Sequence, residues 1–280
     1  MTYHPGSTIL VGVDGSPDAC IAAAWAVDVG RRMNASVKAI AAWSDVPPPY
    51  DDALYDHAAE IDAHVANVAA QSLQRDGIED IEVTAAQGPI AKTLLEAADA
   101  SNASMLVVGT RGLGPLSGLL LGSISRRLLF TTHVPLTVVP HRSALEPERL
   151  TRVLVGVDCS GVARRVLTWA ASFCAAVGVP ATIARCADPG CERPPGYVEG
   201  FDGRTRSDID QELKPLRDLD VEYTVAVAHC DPRVALPETA TRDQAGLIVI
   251  GTSGAGRFRG LGGTASYLAR HSPVPIAVVP

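Results

Sequence analysis

The chain has 280 residues, of which 47% are hydrophobic, 20% charged and 5% aromatic, and its formal net charge is −7. This globular composition leaves room for two ordinary domains, and the lack of a basic cluster argues against a nucleic-acid partner. No apolar run reaches the roughly 18–20 residues that cross a bilayer, and the N-terminal residues do not have the pattern of a signal peptide, so we expect a cytoplasmic protein without a membrane partner.

The first predicted elements are a strand and a helix. An apolar, β-branched run at 8–13 ends in a turn in which Ser16 can cap a helix and Pro17 fits the first helical position. The apolar residues that follow recur on one helical face, namely Ala22, Trp25, Ala26, Val29 and Met33.

Strands and helices alternate along the rest of this half. Continuous apolar strands separated by helices are typical of a parallel sheet covered by helices on both faces. Right-handed crossovers then give a doubly wound, Rossmann-like sheet, for which we expect five strands. The further strands are predicted near 37–43, 81–86, 105–108 and 136–139, and the further helices near 51–75, near 90–100 and from 123.

The same pattern recurs in the second half of the chain. ILVGVDGS at 9–16 returns as VLVGVDCS at 153–160, an offset of 144 residues. Later segments return at offsets of 142 and 140 residues, as expected of a duplication followed by short deletions. With the polar stretch 141–151 as a linker, the sequence predicts two tandem α/β domains, at 1–146 and 147–280.

Ligands of doubly wound sheets bind at the carboxyl ends of the strands, where the strand order reverses. Behind the fourth strand, the glycine spacing G-x2-G-x9-G-S opens the next helix. Glycines let backbone amides approach phosphate oxygens, and the first turn of a helix attracts anions. The predicted phosphate cradle comprises Gly109, Thr110, Arg111, Gly112, Gly114, Gly122, Ser123, Ile124 and Ser125.

Residues behind the first two strands complete the predicted nucleotide site. The carboxylate of Asp14, which follows Gly12 and Val13, can accept a bond from a ribose hydroxyl or an adenine amino group, or can cap the next helix. The backbone of Ala42 is placed to bond adenine, and Arg111 is an expected extra contact to phosphate.

Other chemistries lack their motifs. The first strand is not followed by G-x-G-x-x-G, and the sequence contains no P-loop, G-x-S-x-G elbow or H-E-x-x-H. The histidines form no metal-ligand spacing, and the uneven distribution of the six cysteines favours reduced thiols. We therefore predict no catalytic residues and no metal ligands.

These motifs resemble the universal stress protein family in its tandem-domain, ATP-binding form. ILVGVDGS, the loop GTRGLGPLSGLLLGSIS at 109–125 and the closing VPLTVVP carry the resemblance. It implies ATP at the residues named above, dimer contacts through the last strand, and a role in stress, dormancy or growth regulation with at most slow hydrolysis.

The second copy departs from the motif. Gly156, Asp158, Gly251 and Gly254 are kept, but the loop that follows is one or two residues shorter. Either Gly263 takes the place of Ser123, or Gly263 and Thr264 together restore a similar ending. Because a shorter loop can move a helix terminus by several ångströms, we expect this site to bind ATP weakly or not at all.

Three functions stay open from the sequence. The first is an ATP-binding regulator that acts through an unidentified protein partner. The second is a slow ATPase, in which Mg²⁺ would accompany ATP and Ser123 or Asp14 would position it. The third is a nucleotide-independent scaffold, a homodimer formed through the apolar edge strands VPLTVVP and VPIAVVP.

Overall fold

The computed structural model describes residues 7–44, 58–79, 81–112, 121–141, 150–158, 162–186, 211–228, 230–252 and 262–280. The chain divides into two compact units between residues 145 and 146. Each unit alternates strands and helices, as the sequence predicts. Among the described helices, none combines the length and apolar character that a bilayer crossing requires.

The first unit contains five strands and four helices within its described residues. The helix predicted near 51–75 is described from Ala58 onward, and residues 51–57 lie outside the described part. The elements are β1 (Thr8–Gly12), α1 (Pro17–Met33), β2 (Ser36–Trp43), α2 (Ala58–Arg75), β3 (Glu82–Gln87), α3 (Ile90–Ala100), β4 (Ala103–Gly109), α4 (Ser123–Thr131) and β5 (Leu136–Val139).

The second unit repeats this order with a shorter described helix between its second and third strands. Its elements are β6 (Val153–Val157), α5 (Ala163–Val177), β7 (Ala181–Cys186), α6 (Lys214–Asp218), β8 (Tyr223–Ala228), α7 (Pro232–Arg242), β9 (Leu247–Gly251), α8 (Gly263–His271) and β10 (Ile276–Val279).

The strands of each unit pair in parallel and in the same spatial order. In the first unit the order is β3-β2-β1-β4-β5, and in the second it is β8-β7-β6-β9-β10. The order reverses between β1 and β4, so the carboxyl ends of these two strands lie side by side and form the crevice in which such folds bind ligands.

Helices cover both faces of each sheet. In the first unit α1 packs with α2 on one face and α3 with α4 on the other, while α5 with α6 and α7 with α8 do the same in the second. The strands between them are apolar and buried, and β4 is buried at all seven positions. This confirms the doubly wound α/β architecture, with five parallel strands in each unit.

The predicted apolar face of α1 is buried with one exception. Ala22, Ala26, Val29 and Met33 are buried, whereas Trp25 is partly exposed. The matching tryptophan of the second unit, Trp169, is 2% exposed and stacks on Phe173 with ring centroids 5.2 Å apart. The two copies therefore pack the same helix position differently.

Ser16 starts α1 as the sequence predicts. Its hydroxyl oxygen accepts a bond of 3.3 Å from the amide of Ala19, and Pro17 occupies the first helical position. This cap satisfies one amide that the helix itself leaves without a partner.

Replacing the cap should destabilise the first unit. Ser16→Ala is expected to lower the free energy of unfolding by about 1 kcal/mol, the usual contribution of such a cap. Urea denaturation followed by circular dichroism measures it. Thr168→Ala, which removes an exposed hydroxyl bonded within α5, is the control and should stay within about 0.5 kcal/mol of wild type. Equal losses in the two variants would contradict the capping role.

Candidate functional site

The carboxyl ends of β1 and β4 bring the predicted residues of the first unit to one edge. Val11 pairs with Val107, so Gly12 ends β1 beside Gly109 at the end of β4. The amide of Val13 then donates to the carbonyl of Ile40 over 2.9 Å as the chain leaves the sheet. The turn that follows β1 and the loop that follows β4 therefore begin at the same edge of the crevice.

Asp14 lies at the mouth of this crevice, against the phosphate loop. Its side chain is exposed, and Oδ1 accepts a bond of 3.0 Å from the amide of Ser16. A Cβ atom on Gly112 would collide with Oδ2 of Asp14, so the loop approaches the carboxylate through a residue without a side chain. Ser16, and not Asp14, is the residue that caps α1.

Ala42 presents its backbone to the same crevice. The carbonyl of Ile40 faces β1, because it accepts the bond from Val13. Residues two apart in a strand face the same side, so the N–H and C=O of Ala42 point to the side that β1 has just left. The opposite side of β2 is paired with β3, where Ala42 is in register with Ala86. The backbone N–H and C=O of Ala42 therefore face the crevice, as the predicted contact to a ligand requires.

The first turn of α1 packs directly on the end of β4. A Cβ atom on Gly109 would lie 2.6 Å from the carbonyl oxygen and 2.8 Å from the Cβ of Asp18. Only glycine permits this approach, since real Cβ atoms essentially never come so close to another heavy atom.

Asp18 is the residue of this region that sequence reasoning missed. Its carboxylate is 5% exposed and accepts bonds from Thr110 Oγ1 (2.7 Å), the Arg111 amide (3.1 Å), Arg111 Nε (3.2 Å) and His141 Nδ1 (2.6 Å). Burial by itself would raise the pKa of Asp18, but the hydrogen bonds from these three residues outweigh it and hold the pKa below its ordinary value. The Asp18 carboxylate therefore joins the first turn of α1 to the residues that follow β4 and β5.

Arg111 was expected to contact phosphate directly. Its guanidinium pairs with Asp18, and its side chain remains 43% exposed, so the contact to phosphate stays a prediction. The Arg111 carbonyl also accepts a bond of 3.3 Å from the Ser16 hydroxyl. Both ends of this residue are thus held by the first turn of α1. Gly114, the next glycine of the predicted cradle, lies outside the described residues.

The start of α4 is tied to the same strand end. The amide of Gly122 donates to the carbonyl of Thr110 over 2.7 Å, and Ser125 Oγ donates to the carbonyl of Gly109 over 2.7 Å. Gly122 is the N-cap and has no capping side chain, so the first-turn amides of Ser123 and Ile124 are available to an anion. Ser123 is exposed, whereas the Ser125 hydroxyl is already engaged.

The second unit keeps the backbone anchors of this loop. Gly262 donates to the carbonyl of Thr252 over 2.7 Å, as Gly122 does to Thr110, and α8 begins at Gly263. This settles the alignment: Gly263 stands where Ser123 stands, and Thr264 corresponds to Ile124. The same backbone bond therefore holds the helix start in both units, although the second loop is two residues shorter in the sequence.

The side chains around these anchors have changed. Gly156, Asp158 and Gly251 occupy the expected strand ends, whereas Gly254 lies outside the described residues. At an offset of 144, Val162 replaces Asp18 and Arg185 replaces Ala41, and the buried Arg185 pairs with Glu212. The second unit therefore preserves the backbone anchors of the site, together with Asp158 and Thr252, but has no counterpart of the Asp18 carboxylate or the Ser123 hydroxyl.

Four cysteines lie within the described residues, and all are free thiols: Cys20, Cys174, Cys186 and Cys230. Burial raises the pKa of Cys20 and Cys186 to about 11 and that of Cys174 to about 12, which keeps these thiols protonated at neutral pH. Within the same residues, no group of three or more His, Cys, Asp or Glu side chains is arranged to hold a metal ion.

The close approach at β4 predicts a strong sensitivity to one added methyl group. Gly109→Ala should lower the free energy of unfolding by about 1–3 kcal/mol, as overpacking usually does. The matched control is Gly263→Ala, where an added Cβ meets nothing within 4 Å and alanine favours a helix. Urea denaturation compares the two, and similar stabilities for both variants would contradict the packing described.

The bonds to Asp18 predict an acid-dependent stability. A lowered pKa in the folded protein adds stability above the unfolded value of about 3.9, and this contribution is lost as the pH falls through the folded pKa. Asp18→Asn should therefore be less stable than wild type at pH 7, and the difference should shrink below about pH 4. Urea denaturation across this range measures it, and a difference that does not change with pH would refute the assignment.

Known proteins share the sequence pattern and the fold. The model of the universal stress protein family matches residues 7–140 and again residues 150–280. A universal stress protein of Mycolicibacterium smegmatis (strain ATCC 700084 / mc(2)155) is 28% identical over 289 residues, which cover 97% of this chain and 96% of that protein.

A solved structure that covers nearly the whole chain has a similar fold. A universal stress protein from Archaeoglobus fulgidus DSM 4304 is similar with a TM-score of 0.72 at 22% identity, covering 97% of each chain. A shorter one from Archaeoglobus fulgidus, solved in complex with dAMP, aligns with 46% of this chain and 98% of its own length, at 22% identity and a TM-score of 0.33. The two matches to the family model span nearly the whole sequence, and the chain therefore belongs to the universal stress protein family.

Proposed function

We propose that the first unit binds ATP in the crevice between β1 and β4, and that the bound nucleotide regulates a stress, dormancy or growth response through a protein partner. The observation that carries the proposal is the tie between Gly122 and Thr110, which brings the start of α4 to the end of β4. It brings the Gly112 amide and the first-turn amides of α4 to one place, where together they suit a phosphate group.

The remaining polar groups of the crevice are suited to bind the ribose and the adenine. Asp14 is an exposed carboxylate beside the loop, placed to accept a bond from a ribose hydroxyl. Ala42 offers a backbone donor and an acceptor two residues beyond the last pair of β2 with β1, which matches the needs of an adenine edge. With phosphate at α4, these positions span the crevice in the order adenine, ribose and phosphate.

Phosphate number should set the affinity. If loop and helix amides hold the outer phosphates, the affinity falls from ATP to ADP to AMP, and adenosine binds weakest. The full Gly112–Ser123 loop, the hydroxyl of Ser123 and the Asp18 contacts occur in the first unit, whereas the second has Gly263 and Val162 at the corresponding positions. We therefore expect one tight site in each chain.

The gathered groups are those of a binding site. Among the described residues they are backbone amides, hydroxyls, the Arg111 guanidinium and the exposed carboxylate of Asp14, all of which can orient a nucleotide. Regulation then requires that ATP binding change a surface that a protein partner recognises. Slow hydrolysis with Mg²⁺ is the alternative, and ADP formation that depends on Mg²⁺ and disappears in Ser123→Ala would favour it.

Isothermal titration calorimetry of the full chain tests the site. Asp14→Ala should weaken ATP binding by about tenfold to a hundredfold, the range for a lost hydrogen bond to a charged group. This variant is more informative than Gly109→Lys, because a side chain at residue 109 would collide with α1 and disturb the fold.

The paired variant Asp158→Ala tells the two units apart. The same substitution in the second unit should leave the tight site intact, since that site lies in the first unit. Thermal melting without nucleotide checks that both variants are folded. ATP affinity that is unchanged in Asp14→Ala, or lost only in Asp158→Ala, would overturn the proposed site.

A further inference from the structure

The buried Asp18 carboxylate makes a cluster that the proposed binding residues do not explain. Oδ2 receives three donors from Thr110 and Arg111, and Oδ1 receives His141 Nδ1. Buried carboxylates are costly unless hydrogen bonds satisfy them, and this one is satisfied almost entirely by residues adjoining strand ends. Its partners are 92, 93 and 123 positions away along the chain.

These bonds fix the entrance of the phosphate loop from two sides. The Arg111 amide donates to Asp18, and the Arg111 carbonyl accepts from the Ser16 hydroxyl, so the first turn of α1 holds both polar groups of this residue. Thr110 is held by its hydroxyl to Asp18 and by its carbonyl to the amide of Gly122. The loop therefore leaves β4 in a fixed direction and returns to a fixed helix start.

We propose that Asp18 is a positioning residue for the nucleotide phosphates, which acts by clamping Thr110 and Arg111 and by holding the Arg111 guanidinium at the start of the loop. This inference rests on ATP binding at the first unit. Asp18 itself is buried and does not touch the nucleotide. The clamp belongs to the first unit, because Val162 occupies the corresponding position in the second and its side chain has no hydrogen-bond acceptor.

The loss of charge and the loss of positioning predict opposite changes in ATP affinity for the substitution Asp18→Asn. Asp18→Asn removes a negative charge near the phosphate site and releases the Arg111 cation from its partner, so charge alone predicts tighter ATP binding. Positioning predicts weaker binding, since an asparagine offers one acceptor oxygen to four donors and its amide group opposes them. The sign of the change decides between the two.

The experiment compares ATP and adenosine binding by isothermal titration calorimetry on the full chain. Asp18→Asn is expected to lower the ATP affinity by about tenfold, as for hydrogen bonds to a charged group, and to leave the adenosine affinity within about twofold. Adenosine lacks the phosphates that the clamp positions, so loss of the clamp should affect only ATP binding. A general loss of structure would instead weaken the binding of both ligands. Asp28→Asn, the same substitution elsewhere on α1 at a residue paired with Arg32, is the control and should bind both like wild type.

A second variant covers the case in which Asp18→Asn does not fold. Thr110→Val is nearly isosteric, carries no charge change and removes one donor to Asp18, so it should lower ATP affinity about threefold with adenosine binding unchanged. ATP binding that is unchanged or tighter in these variants overturns the positioning role while leaving the proposed function intact. Wild-type protein that fails to bind ATP refutes the proposed function itself.

Discussion

Helix α1 can lie on the end of β4 only because residue 109 has no side chain. This approach brings the first turn of α1 within hydrogen-bond distance of the residues that follow β4, and the Asp18 and Ser16 side chains use it. The loop that leaves Thr110 is then closed by the bond from Gly122, which places α4. The strand order forms the crevice, and this contact between a helix and a strand end sets how the phosphate loop leaves it.

The two units show which parts of this arrangement are separable. Both have the backbone bond from a glycine amide to a threonine carbonyl, with the same length of 2.7 Å, although the second loop is two residues shorter. The backbone bond is therefore kept although the second loop has fewer residues. Three polar side chains are not kept: Ser123, Ser125 and Asp18 correspond to Gly263, Ala265 and Val162. A site of this kind can lose its ligand-specific groups while its fold stays intact.

Local patterns predicted most of the fold. Apolar strands, the Ser16–Pro17 helix start and the repeat at an offset of 144 residues each have a direct physical cause, and the structure confirms them. The glycine spacing also predicted where β4 ends and where α4 begins. These features are determined by residues close together in the chain, which is why the sequence alone displays them.

The missed features depend on residues that are far apart in the sequence. Asp18 looks like an ordinary acidic residue in the first turn of a helix, where it would favour the helix dipole. Its partners Thr110, Arg111 and His141 come close only after the sheet has formed, and no local motif announces them. The backbone bond that holds the start of α8 to Thr252 likewise has no local sequence motif that would predict it.

We propose that one nucleotide occupies the first unit of each chain. Mass spectrometry of ligand released from denatured, freshly purified protein tests it most directly, since it reports identity and stoichiometry together. After saturation with ATP and removal of unbound nucleotide, the account predicts about one ATP for each chain, as expected of a single tight site. Protein that retains no adenine nucleotide, or that retains two with equal tenacity, would contradict it.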